Sequence, residues 1–158
     1  MTSHRLLRVA ALAVISTAGC GNSTGGTAGG GSSTPPPAAP SYSTSDAAVA
    51  PSGATVVQMV KIGYLPTQLS GSGRTLVLVL QNIEQPENDP GLGVPHYLDH
   101  NIVISDTHGN FVGQSTVLAP GESKVFTVAH LPAGQYKFFC SRFGHRSQFH
   151  MEGTLSQT

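Results

Sequence analysis

The residues in this chain able to do chemistry are a cysteine, several histidines and a methionine, most of them close to the C-terminus. Cys140 ends the run Gln135-Tyr136-Lys137-Phe138-Phe139-Cys140, His145 follows after four residues, and His150-Met151 comes soon after. Far upstream, Pro95-His96-Tyr97-Leu98-Asp99-His100-Asn101 places further imidazoles directly before the apolar stretch Ile102-Val103-Ile104. One thiolate with two imidazoles and a weak axial thioether is a donor set that suits copper in an electron-transfer site. Zinc favours four strong ligands, and structural zinc usually shows paired Cys or paired His at short spacing, so copper fits this set better. The step from Cys140 to His145 is short enough for both donors to meet one ion. His96 and His100 have the spacing of a helical metal pair, but Pro95 and the apolar run after them argue against a helix there. His108, in Asp-Thr-His-Gly, reads as a turn residue and His130 as a loop residue.

Short β-strands must position these donors. From residue 54 onward the apolar runs are brief and rich in β-branched residues: ATVVQMVKIGYL, RTLVLVLQNI, HNIVISD, STVLAPGESKVFTVAHLPAGQYKFFC and EGTLSQ. Pro66, Gly71, Gly73, Pro90, Gly91, Gly93, Gly109, Gly121 and Gly134 separate or interrupt them, and no window sustains a helical period. Such spacing predicts an all-β, antiparallel Greek-key sandwich or barrel. Along Lys124-Val125-Phe126-Thr127-Val128 the period of two sends Phe126 and Val128 to the core and Val125 and Thr127 to the other face.

The N-terminal third reads differently. Residues 1–19 carry Arg5 and Arg8, then an apolar run from Val9 to Ile15, then Ala18 and Gly19 ahead of Cys20. This is the layout of an export signal, and its apolar run is too short for the ~20 residues of a membrane span. Small residues before a cysteine resemble the lipobox of bacterial lipoproteins, although Thr17 stands where that motif usually has Leu. The resemblance implies a lipid on Cys20 and anchorage at the outer face of the cell membrane. Residues 20–53 contain almost no large apolar side chain and read as a disordered Gly/Ser/Pro-rich linker, which would span roughly 30 Å as a flexible coil. The copper-binding domain is then expected at residues 54–158.

Composition narrows the function classes. The chain has 158 residues, with 8 basic against 8 acidic side chains. Loss of residues 1–19 removes Arg5 and Arg8, leaving 6 basic against 8 acidic and a net charge of −2. No basic stripe is present to displace counterions from a phosphate backbone, so a nucleic-acid partner is not expected. With 2 cysteines in all and Cys20 assigned to lipid, Cys140 has no disulfide partner and needs another role.

Taken together, His100-Asn101 opening a strand, the run from Leu131 through Cys140, Gly144-His145, and Met151 before Gly153-Thr154-Leu155 resemble a cupredoxin of the plastocyanin, azurin, auracyanin and sulfocyanin kind. The resemblance covers most of residues 54–158 and implies a type 1 copper protein with His100, Cys140 and His145 as equatorial ligands and Met151 as the axial one. In relatives with this Cys-to-His spacing the axial Met usually follows after four residues, a place held here by His150, so His150 is the competing axial donor. Asp99 would bear on the copper through its carbonyl or its carboxylate. The resemblance also implies that an edge of the His145 ring reaches the surface within an apolar patch formed by Leu92, Val94, Pro95, Phe143 and Phe149. Arg142 and Arg146, flanking His145, would favour a redox partner with an acidic face, and membrane-associated redox proteins are the expected partners of a monomeric electron carrier rather than an enzyme. Multicopper oxidases need His-x-His pairs that this chain lacks, which leaves copper binding or delivery, or a red-copper centre, as the alternative.

Overall fold

In a computed structural model, the chain is described over residues 35–46, 49–85 and 98–158. The expected signal segment, Cys20, half of the expected linker, and Leu92, Val94, Pro95 and His96 lie outside the described residues.

The described residues form ten strands and one short helix: β1 (Ser41–Asp46), β2 (Thr55–Val60), β3 (Gly63–Leu65), β4 (Gln68–Gly71), β5 (Thr75–Asn82), β6 (Val103–Asp106), β7 (Phe111–Gln114), β8 (Ser123–Ala129), β9 (Gly134–Phe139), α1 (His145–Phe149) and β10 (Glu152–Gln157). Two five-stranded sheets result, ordered β1-β8-β5-β2-β3 and β4-β10-β9-β6-β7. Most neighbours are antiparallel, with β2 against β5 and β4 against β10 running parallel. Non-consecutive neighbours in both sheets give the crossovers of a Greek key.

The pleat explains which side chains form the core. Leu76, Leu78 and Leu80 alternate inward along β5, and Phe126 and Val128 do so along β8, as their sequence period predicts. They meet Ile104, Phe138 and Leu155 from the other sheet in one buried cluster. Tyr64 packs edge-to-face on Phe138, with ring centroids 5.1 Å apart. Burial of each such large side chain stabilises the sandwich by about 1.5–3 kcal/mol.

The expected linker boundary at residue 53 needs correction. Ser41–Asp46 is a strand, paired with β8 from Ser41↔Ala129 to Asp46↔Lys124. Its sequence is polar and mostly exposed, so no apolar period announces it. An edge strand needs only free backbone donors and acceptors on its neighbour, and β8 supplies them. Side chains then fasten it: Lys124 Nζ lies 2.6 Å from Asp46 Oδ1, Thr44 Oγ1 accepts from the Thr116 N–H at 3.2 Å, and Tyr42 stacks edge-on against Phe111 at 5.6 Å. The folded unit accordingly begins near Pro36. Among the described residues no helix is long and apolar enough to cross a membrane.

Candidate metal centre

Strand register brings distant donors to one end of the second sheet. Antiparallel pairing sets Val103 of β6 opposite Phe139 of β9, and Phe139 opposite Glu152 of β10. The segment before β6, the segment after β9 and the segment before β10 therefore converge. These carry His100, Cys140 and Met151. His100 is held in a two-way backbone bridge with Leu118, its N–H donating at 3.0 Å and its carbonyl accepting at 2.7 Å.

His145 arrives by a device absent from the sequence reading, the single-turn helix α1. Gly144 precedes it with φ 79, a left-handed conformation that glycine adopts without penalty. Backbone bonds then close the loop on itself: Met151 N–H donates to the His145 carbonyl at 3.0 Å, and Cys140 N–H donates to the Met151 carbonyl at 3.1 Å.

Three donor atoms meet as a result. One atom each from His100, Cys140 and His145 lie within 4.8 Å of one another, and all three residues are buried. His100 Nδ1 is 3.1 Å from His145 Nδ1, and Cys140 Sγ is 3.4 Å from the same His145 nitrogen. Two imidazole lone pairs and a sulfur facing one point repel unless a proton or a cation lies among them. Met151, whose backbone is hydrogen-bonded to those of Cys140 and His145, is buried at 1 % exposure, whereas His150 is exposed in a left-handed conformation after α1. His108 lies in a turn and His130 in an exposed loop position.

Electrostatics work against protons here. Burial first, then the charge of His100 and that of Arg142, push the His145 pKa down to about 4. Burial likewise lowers that of His100, opposed by its hydrogen bond to Glu84. The imidazoles are therefore neutral with lone pairs ready for a metal at neutral pH. Burial raises the Cys140 pKa, with backbone N–H groups of Asn101 and Arg142 opposing, so the thiol holds its proton until a cation that binds the sulfur displaces it to solvent.

The surroundings differ from several expectations. His145 is only 1 % exposed, so its ring does not form an exposed edge; Phe149 packs edge-on against it at 6.5 Å. The large apolar side chain open to solvent in this loop is Phe143, at 85 %. An open groove of about 580 Å³ runs past it, with Arg142, Ser147 and His150 among its lining. Neither arginine presents a bare charge. Arg142 lies 3.8 Å from Asp99, while Arg146 pairs with Glu152 at 3.2 Å and stacks 3.9 Å over the Phe139 ring.

A carboxylate that meets a candidate ligand directly is Glu84, whose Oε1 lies 3.1 Å from His100 Nε2. Asp99 acts on His100 through its charge. Sequence reasoning also missed Tyr64 and the bracing role of Asn101. Tyr64 is buried and donates to the Asn101 carbonyl at 2.5 Å, and Asn101 Oδ1 accepts from the Ser141 N–H at 3.0 Å, tying the His100 segment to the Cys140 segment. Glu84 had one faint signal, an acidic residue two positions beyond the end of the apolar strand β5.

Comparison with solved structures decides the architecture. Auracyanin B has 22 % sequence identity and a TM-score of 0.54, over 76 % of this chain and 98 % of that one. The fold is that of the cupredoxins. Dithionite-reduced auracyanin from the photosynthetic bacterium Roseiflexus castenholzii gives 17 % identity and a TM-score of 0.52, over 70 % of this chain and 99 % of its own. A reduced amicyanin variant gives 16 % identity and a TM-score of 0.50, over 75 % and 98 %. Comparison with protein-family models and with curated proteins gives no match. At these identities the likeness is one of fold, and the donor trio is this chain's own evidence for a cupredoxin-type metal centre.

Proposed function

We propose that the domain is a mononuclear type 1 copper protein that carries single electrons between redox partners, with His100, Cys140 and His145 as equatorial ligands and Met151 as the axial one. One observation carries this reading: a buried thiol and two buried imidazoles converge within 4.8 Å at one end of a cupredoxin sandwich. Copper bound there would supply one-electron exchange between its monovalent and divalent states. The chain's own residues do the rest. Backbone bonds among Cys140, His145 and Met151 hold the donors in place, so little rearrangement accompanies a change of charge. Burial of all three excludes water from the centre. Met151 is preferred over His150 because it is buried beside the trio while His150 faces solvent.

Partners belong to the same proposal. Phe143 and the adjoining groove offer a small, partly apolar contact of the kind that suits brief redox encounters. The internal pairing of Arg142 and Arg146 makes an acidic partner face less of a requirement than charge counting suggests. The export-signal pattern and Cys20 support a lipid-anchored protein at the outer face of the cell membrane, with the linker giving reach and the shared membrane raising the effective concentration of membrane-bound partners.

Protein-film voltammetry on the copper-loaded domain tests the reading. A reversible one-electron wave, lost in Cys140→Ser, is the expected result. Tight copper binding without a reversible wave would replace electron transfer with copper handling.

A further inference from the structure

A buried carboxylate stands next to the trio. Glu84 is 1 % exposed. Its Oε1 accepts from the Ile62 N–H at 2.8 Å and faces His100 Nε2 at 3.1 Å, while its Oε2 is buried without a hydrogen-bond partner among the described residues. A carboxylate so placed costs several kcal/mol unless opposing charge offsets it.

The surrounding chain is built to hold it. Glu84 N–H donates to Asn82 Oδ1 at 3.1 Å, and Asn82 Nδ2 donates to the carbonyls of Leu98 at 2.7 Å and Leu118 at 2.9 Å. Leu118 is the bridge partner of His100, so one side chain braces both the carboxylate and the histidine it meets. The Ile62 N–H comes from the two-residue turn between β2 and β3, where Lys61 and Ile62 both have φ 52. Such turns favour Asn-Gly, and a β-branched residue with positive φ is rare, costing on the order of 1–3 kcal/mol. The chain keeps that strained backbone at the place where its N–H meets Glu84.

Resting on the copper reading above, we infer that Glu84 is a positioning residue for His100 that also balances the charge of the metal centre. By accepting from Nε2–H, it fixes the tautomer whose Nδ1 lone pair faces Cys140 and His145. With Cys140 as thiolate, a divalent ion leaves one positive charge in the site, which the Glu84 carboxylate cancels. A monovalent ion leaves the carboxylate uncompensated. Glu84 therefore favours the oxidised state and lowers the reduction potential.

Two variants separate orientation from charge. Glu84→Gln retains an acceptor of the same size and removes the charge, whereas Glu84→Ala removes both. In the metal-free domain, 15N NMR should find His100 as the Nε2–H tautomer in wild type and in Glu84→Gln, and as a mixture in Glu84→Ala. In the copper-loaded domain, Glu84→Gln should weaken divalent relative to monovalent copper by about tenfold to a hundredfold, raising the potential by about 59 mV for each tenfold. A pure Nε2–H tautomer in Glu84→Ala, or a Glu84→Gln potential equal to wild type, would overturn the assignment. Should Glu84→Ala fail to fold, the isosteric Gln variant still decides through its potential. A wild-type domain with no copper–thiolate colour would instead defeat the copper reading, and the metal-free tautomer measurement would still decide the positioning role.

Discussion

Acidifying the metal-free domain is expected to destabilise it through His145. This ring is buried at 1 % exposure, and its folded pKa is pushed down to about 4 from 6.5 by burial, then by the charges of His100 and Arg142. In the unfolded chain the same imidazole takes up a proton near pH 6.5. Between those limits the unfolded state binds a proton that the folded state refuses, so stability is complete above the unfolded value and is lost as pH falls towards the folded one. At 1.36 kcal/mol per pH unit, the interval from 6.5 to about 4 corresponds to about 3 kcal/mol, a large share of the 5–15 kcal/mol that stabilises an ordinary domain. His100 is displaced in the same direction by burial and adds to the trend. Asp46 and Asp106, whose pKa values are lowered by Lys124 and Asn110, keep their contributions until pH falls below 3.8, so they do not blur this window. Urea unfolding of metal-free protein between pH 7.5 and about 4.5 should show the midpoint falling steeply in wild type and much less in His145→Gln. Parallel pH profiles for the two proteins would refute the reasoning.

Three further outcomes are expected. Met151→Leu should alter the copper colour and potential while His150→Leu leaves both near wild type, because only Met151 is buried beside the trio; the opposite pattern in visible spectra would reassign the axial donor. Gly153→Ala should lower stability by about 1–3 kcal/mol or more in thermal unfolding, since its Cβ would stand 2.3 Å from Phe138 Cζ and 2.4 Å from the Thr67 carbonyl, and the carbonyl belongs to fixed backbone. Removing the chain through Asp46 should destabilise the domain far more than Lys124→Ala, because the strand loses its whole ladder with β8 whereas the exposed ion pair contributes little; equal effects in calorimetry would show that β1 adds nothing beyond that pair.

What the sequence revealed followed physical range. Phe126 and Val128 were legible because the period of two is local, and the donor trio because its residue types suit copper and its motifs resemble those of a cupredoxin. Strand β1 was not legible, since an edge strand made of Ser, Thr and Asp is held by its neighbour's backbone rather than by apolar side chains of its own. A five-residue helix such as α1 is too short to show a period. Glu84 lies 16 residues from His100, so only tertiary packing joins them. The burial of His145 likewise depends on what folds over it, a property no local pattern carries.

The most direct test of the copper centre is the visible and electron paramagnetic resonance spectrum of the domain loaded with one equivalent of copper(II). An intense thiolate-to-copper absorption that is absent in Cys140→Ser, with narrowed copper hyperfine splitting, is the predicted result. A colourless complex with the broad splitting of copper held by nitrogen and oxygen alone would contradict the account.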